Sequence, residues 1–271
     1  MKVQEQHQIK PETQSCQTSV MCRAVDNLEL LLSQPDESVD LIYCDILYGT
    51  GRNFGDYQDL KPIRSEIEAH YLPRLKEMHR VLKSIGSIYL QMDTRINHWM
   101  RILMDDVFGY DNFRNEISWC YTMPCKLTNY YPRKHDVILF YSKSKKYTFN
   151  NQFIPYAKSN KNNGKTSVVG YSEDIATKLD ERGKAVEDFW IEINMINSMS
   201  NERVGYQTQK PKSLIERIIK ASSNEGDIVA DYYLGSGTTA VVCKELNRNF
   251  IGCDINPKAI EITNARLDAV T

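Results

Sequence analysis

The chain has 271 residues, the upper edge of what one α/β domain usually holds, so one catalytic domain with an insertion fits better than two equal domains. Apolar residues make up 41% and charged residues 25%, an ordinary globular balance, and no run of eighteen apolar residues is present to span a bilayer. A formal net charge of −1 argues against a uniformly basic polyanion binder, although the basic residues are unevenly spread.

Met1 to Thr18 is polar and lacks the apolar core of a secretory signal, so it reads as a frayed tail of a cytoplasmic protein, with residues 19–271 as the catalytic domain. Val39 to Cys44 is a short, bounded apolar run, the mark of a buried strand, and it ends at Asp45. Ile67, Tyr71, Leu75, Met78 and Leu82 recur at helical spacing, which predicts a helix over 67–82 broken by Ser84-Ile-Gly86. Ser87 to Met92 then reads as a strand, Ile96 to Phe108 as a helix stopped by Gly109, and Val137 to Tyr141 as another buried strand.

Residues 143–205 are rich in Asn, Ser, Lys and Gly, with weak periodicity, and read as an inserted recognition region carried on loops. Regular structure resumes at Pro211, a favourable first helical residue, with a helix to about Ser223. Strand Ile228 to Tyr232, helix Thr238 to Leu246, strand Phe250 to Cys253 and helix Pro257 to Leu267 follow. Alternating strands and helices imply an α/β fold, a doubly wound and mainly parallel sheet.

The seven cysteines are odd in number and scattered, with no C-x-x-C pair, which is the pattern of reduced thiols. None of the histidines at 70, 79, 98 and 135 is grouped for metal or nucleophilic work, and no metal is expected. Between Cys120 and Lys165 stand nine Lys or Arg and a single acid, Asp136, interleaved with six Tyr and three Phe. That composition suits a surface meeting phosphates and unstacked bases, and equally a solvated basic face beside a strand. On the first reading Lys126, Arg133, Lys134, Lys143, Lys145 and Lys146 are candidate DNA contacts.

Two local motifs carry chemistry. In Asp231-Tyr-Tyr-Leu-Gly-Ser-Gly-Thr-Thr239, Gly235 and Gly237 permit a tight turn and close approach to a ligand at the start of a helix. Seventeen residues after Gly237, Asp254 ends the next strand, placed to accept hydrogen bonds from two ribose hydroxyls. The turn lacks the lysine of a P-loop and the third glycine of a dinucleotide site, which favours a nucleoside cofactor without a phosphate chain, such as S-adenosylmethionine. The second motif, Asp45-Ile46-Leu47-Tyr48, follows a strand whose carboxyl end would face the same crevice. There Asp45 can accept a hydrogen bond from an amine while Tyr48 stacks on a planar base; alone, the pair reads more readily as a strand-ending acid and a core tyrosine.

The chain resembles the β group of DNA amino-methyltransferases, in which a D-P-P-Y catalytic motif precedes an F-x-G-S-G cofactor motif. The resemblance rests on Asp40 to Gly51, Phe108 to Phe113, His135 to Ser142, Tyr206-Gln-Thr-Gln-Lys-Pro211 and Gly235 to Thr239, in that order along nearly the whole length. It implies a Rossmann-like methyltransferase fold with an inserted target-recognition region. It also implies S-adenosylmethionine as cofactor and transfer of its methyl group to the N6 of an adenine flipped out of double-stranded DNA. Asp45 and the carbonyl of Ile46 would take the two amine hydrogens, and Tyr48 would stack on the base. Asp45 favours adenine, since cytosine-N4 members usually carry Ser there. No neighbour in sequence would raise its pKa, so it reads as an acceptor and not as a strong base. Asp231, Tyr233, Gly235, Ser236, Gly237, Thr238, Thr239 and Asp254 would form the cofactor pocket with Asp45. Thr208 and Lys210 would meet its methionine end and Asp26 with Asn27 its adenine; all four types also serve in ordinary turns. The prolines of D-P-P-Y are here Ile46 and Leu47, and Leu47 gives up the fixed φ that stiffens the loop. The resemblance also implies a separate restriction endonuclease and a homodimer as partners. A catalytically inactive DNA-binding relative, a cytosine-N4 enzyme and an RNA amino-methyltransferase are the alternatives.

Overall fold

The computed structural model describes residues 18–55, 57–121, 126–155, 182–197 and 199–270. Strands β1 (Val20–Ala24), β2 (Val39–Asp45), β3 (Leu82–Met92), β4 (Phe113–Cys120), β5 (His135–Ser142), β8 (Phe189–Trp190), β9 (Ile228–Asp231) and β10 (Asn249–Asp254) form one eight-stranded sheet. Its order is β1-β10-β9-β2-β3-β5-β4-β8, with β5 running against its two neighbours and the other pairings parallel. The remaining short strands, β6 (Phe153–Ile154) and β7 (Lys184–Ala185), pair with each other.

Helices α1 (Asn27–Ser33), α2 (Arg64–Val81) and α3 (Asn97–Phe108) cover one face; α4 (Lys212–Ser222), α5 (Thr238–Glu245) and α6 (Pro257–Asp268) cover the other. Period-two alternation along β2 divides its side chains between these layers. Ile42 and Cys44 pack with α1 to α3, while Leu41 and Tyr43 pack with α4 and α5. Burial on both faces is why β2 is apolar throughout its middle. The expected doubly wound α/β architecture is the observed one.

Three local expectations are corrected. β3 begins at Leu82, directly after α2, and runs straight through Ser84-Ile-Gly86. Gly86 marks a close approach of backbones there, since a Cβ on it would lie 2.8 Å from the Asp40 carbonyl, beside the register shift between Val39 and Leu41. Pro211 stands just before α4 as its cap and not as its first residue. β1, α1 and β4 were not anticipated: β1 lies at the sheet edge and β4 buries only Ile117 and Trp119 of its eight residues, so neither shows a strong apolar run. The 1–18 tail and the middle of the 143–205 insertion lie largely outside the described residues.

Candidate active site

Parallel strands deliver their carboxyl ends to one edge of the sheet, and here β2, β9 and β10 each end in an aspartate: Asp45, Asp231 and Asp254. Between them opens a cavity of about 440 Å³ lined by the Asp45 to Tyr48 loop and by Gly235, Ser236, Thr238 and Thr239 of the glycine turn, but not by Gly237. This lies within the usual size range of small-ligand sites.

The glycine turn is built from the inside outward. Asp231, 2% exposed, accepts from the Tyr233 N–H (3.0 Å) and the Thr239 hydroxyl (2.6 Å), tying the strand end to the first turn of α5. Burial pushes its carboxyl up to about 7, against the pull of those donors. Gly237 has φ +74°, and a Cβ on it would meet the Thr263 hydroxyl at 2.2 Å, so glycine lets α6 pack against the turn. Gly235 donates its N–H to Asp254 Oδ2 (2.9 Å). Arg266 donates to the Ser236 carbonyl (2.6 Å) and the Thr238 hydroxyl (3.1 Å), closing the turn from behind.

The second wall is the loop after β2. Asp45 Oδ2 accepts from Lys210 Nζ at 2.5 Å, and its Oδ1 lies 2.9 Å from the Tyr48 hydroxyl. Burial raises the Asp45 carboxyl above its ordinary range, and Lys210 opposes that rise. No sequence neighbour forecast this rise, because it comes from burial and from Asp136, 91 positions away. Burial, with Asp45 and Asp136 nearby, holds the Tyr48 phenol well above its ordinary value, so it keeps its proton. The Tyr48 hydroxyl also lies 2.7 Å from Asp136 Oδ2, and Lys210 Nζ stands 5.3 Å from the centre of its ring.

Without prolines, hydrogen bonds hold the loop. Ile46 donates its N–H to the Gln91 carbonyl (3.0 Å), a bond proline could not make. Tyr71 donates its hydroxyl to the Leu47 carbonyl (3.0 Å). Asp59, 3% exposed, accepts from the Gly49 N–H (3.1 Å), the Thr50 N–H (2.7 Å) and the Thr50 hydroxyl (2.5 Å). Sequence reasoning missed Asp59, Gln91 and Tyr71, because each acts on the loop through a fold contact rather than through a motif.

The other candidates fall in two places. Asp26 caps α1 through the Leu28 N–H (2.8 Å) and pairs with Arg74 (2.9 Å), while Asn27 donates to the Tyr232 carbonyl (3.1 Å); both line the cavity beside Tyr233. The Tyr233 hydroxyl lies 3.2 Å from His70 Nε2, and burial beside Arg74 pushes that imidazole down to about 4, so it is neutral near pH 7. Thr208 lines the same cavity with φ +62°. Among the basic residues, Lys126, Arg133 and Lys134 lie on the β4–β5 connection, which returns to the chain at this edge through His135. The structure does not bring Lys143, Lys145 and Lys146 to it. Lys143 bonds the Leu82 carbonyl (2.5 Å) at the start of β3, the opposite edge of the sheet, and Lys145 and Lys146 follow it there.

The lining tests the cofactor class. It carries Asp26, Asp45, Asp59, Asp231 and Asp254 against one ammonium, Lys210. Such a wall opposes a di- or triphosphate and suits a cationic ligand with hydroxyls and a single carboxylate, which is the charge pattern of S-adenosylmethionine. Among the described residues no three His, Cys, Asp or Glu gather as metal ligands, and no helix is long and apolar enough to cross a membrane.

A family model described as DNA methylase, for N6 and N4 methyltransferases, matches residues 39–265. The chain is 36% identical to the type II methyltransferase M.HpaI of Haemophilus parainfluenzae over 249 residues, covering 91% of this chain and 72% of that relative. It is 31% identical to the DNA adenine methyltransferase YhdJ of Escherichia coli K12, covering 91% and 82%. Its fold is similar to that of M1.HpyAVI solved with SAM (TM-score 0.62, 19% identity, 92% and 99% covered). It is also similar to that of the cytosine-N4-specific PvuII DNA methyltransferase (TM-score 0.62, 18% identity, 93% of each chain).

Proposed function

The chain belongs to the N6/N4 DNA methylase family, whose methyl donor is S-adenosylmethionine, and we propose that it methylates the N6 amino group of an adenine flipped out of duplex DNA. The observation that carries this reading is that the Asp45 carboxylate and the Gly235-Ser236 turn open into one shared cavity. When bound, S-adenosylmethionine supplies an electrophilic methyl carbon on a sulfonium. In this reading Gly235 and Asp254 hold the nucleoside part, Gly237 shapes the turn from behind, and Lys210 lies within the lining as the partner for a carboxylate.

The target amine is a poor nucleophile because its lone pair is delocalised into the ring. Accepting its hydrogens at Asp45 Oδ1 and at the Ile46 carbonyl favours the pyramidal nitrogen and stabilises the positive charge that develops on it. Among the described residues the Ile46 carbonyl takes no other hydrogen bond. Holding amine and methyl in line contributes roughly 7 kcal/mol or more to lowering the barrier. The methylated nitrogen then loses one proton, and Asp45, whose carboxyl burial has raised, is the base within reach of it. Tyr48 provides the ring on which the extruded base rests.

Two features support adenine over cytosine: an aspartate at position 45, and 31% identity to a relative named as an adenine methyltransferase. Lys126, Arg133 and Lys134 are the proposed phosphate contacts on the site's side of the molecule. The likeness to a type II methyltransferase also supports a separate restriction endonuclease as a functional partner. Transfer of tritiated methyl to mixed-sequence duplex DNA tests the reading, with Asp45→Ala as control. Incorporation by the wild type and not by the variant is expected. Cofactor binding with no transfer would leave a DNA-binding relative, and faster labelling of RNA would overturn the substrate.

A further inference from the structure

Asp136 faces the active site from the far side of Tyr48, and the reaction as described makes no use of it. It is the second residue of β5, 3% exposed, and the one acid in the basic segment between Cys120 and Lys165. A buried carboxylate requires donors, and this one has three. Gln91 Nε2 donates to Oδ2 (2.8 Å), the Tyr121 hydroxyl donates to Oδ1 (2.9 Å), and the Tyr48 hydroxyl lies 2.7 Å from Oδ2. Gln91 is itself oriented, since the Tyr43 hydroxyl donates to its Oε1 (2.7 Å). Four elements thus converge: β2, β3, β5 and the residue following β4.

The Tyr48 oxygen stands between two carboxylates, 2.9 Å from Asp45 Oδ1 and 2.7 Å from Asp136 Oδ2. A hydroxyl has one hydrogen and serves one acceptor at a time. Asp45 Oδ2 is already taken by Lys210, so Oδ1 is the oxygen left for a substrate amine. A hydrogen donated by Tyr48 to Asp45 competes for that oxygen; a hydrogen donated to Asp136 leaves it open. The shorter contact is the one to Asp136.

We propose that Asp136 is a positioning residue for methyl transfer, which accepts the Tyr48 hydroxyl hydrogen and so fixes the ring for the base while keeping Asp45 Oδ1 open to the target amine. This rests on the reading that Asp45 takes an amine hydrogen and Tyr48 stacks on the base. An asparagine at 136 keeps an acceptor oxygen in the same place, whereas alanine removes it. In Tyr48→Phe there is no hydroxyl left to direct.

The test is a double-mutant cycle on methyl-transfer kinetics with the full chain, duplex DNA and S-adenosylmethionine. A hydrogen bond to a charged group is worth about tenfold to a hundredfold in rate. Asp136→Ala is therefore expected to lower kcat by at least about tenfold, with DNA KM and the cofactor Kd within about twofold. Asp136→Asn is expected to stay within about threefold of the wild type, and adding Asp136→Ala to Tyr48→Phe to cost less than about twofold more. Independent, multiplying losses from Asp136→Ala and Tyr48→Phe would overturn the proposal, as would Asp136→Asn failing as badly as Asp136→Ala. If Asp136→Ala no longer binds cofactor, the same cycle with Asp136→Leu, which fills the volume, decides the point. An active Asp45→Ala would refute the underlying reading; an inactive one beside a multiplying cycle would refute the role of Asp136 alone.

Discussion

Replacing Asp59 by alanine removes the acceptor that stands in for the prolines of the catalytic loop. The side chain holds the Gly49 N–H, the Thr50 N–H and the Thr50 hydroxyl, at 3.1, 2.7 and 2.5 Å. Gly49 is buried, so its N–H would be left without a partner, at about 1–3 kcal/mol. Thr50 is half-buried and regains water in part, which costs less. Together the loss is about 2–4 kcal/mol of stability, or roughly 4–16 °C in Tm at 2–4 °C per kcal/mol for a chain of this size. The loop it releases also carries Ile46 and Tyr48, so kcat at saturating substrate should fall by about tenfold or more, beyond what the unfolded fraction explains. Urea unfolding and single-turnover methyl transfer measure the two effects, and Asp59→Asn, which keeps one acceptor, should fall between. Stability within about 0.5 kcal/mol of the wild type, with unchanged kcat, would refute the claim that Asp59 holds this loop.

Gly237→Ala places a Cβ 2.2 Å from the Thr263 hydroxyl at φ +74°, and the left-handed backbone alone costs about 1–2 kcal/mol. Calorimetric titration should show S-adenosylmethionine affinity falling by about tenfold or more, and an unchanged Kd would contradict the close approach at this turn. The pH dependence of stability tests Asp231, pushed up to about 7 from an ordinary 3.8. A raised acid stabilises the fold in its protonated form, so its contribution is full below pH 3.8 and lost as pH rises through about 7. Asp231→Asn should therefore flatten the decline in unfolding free energy between those pH values, and parallel wild-type and variant curves would contradict the assignment.

The parts legible in sequence are those written by consecutive residues. Gly235-Ser-Gly237 with Asp254 implied a nucleoside pocket because a tight turn and a strand-ending acid are local features, and the structure joins them through the Gly235 N–H. Asp45 and Tyr48 were legible as a pair for the same reason. What holds them is not local. Lys210 reaches Asp45 across 165 residues, Asp136 reaches Tyr48 across 88, and Arg74 ties α2 to Asp26 across 48. Composition grouped Lys143, Lys145 and Lys146 with Lys126, Arg133 and Lys134, but β5 runs the full depth of the sheet between them and carries the first three to the far edge. Asp136 did leave a trace in sequence, as a lone acid among nine basic residues. That pattern could not show that a tyrosine hydroxyl lay between it and Asp45.

The most direct test of the account is nucleoside mass spectrometry on DNA from cells expressing the chain, beside cells expressing Asp45→Ala. The predicted result is N6-methyladenine in the first sample and none above background in the second. N4-methylcytosine in place of N6-methyladenine would contradict the role given to Asp45 in choosing the base. N6-methyladenine at equal levels in both samples would contradict its role in transfer.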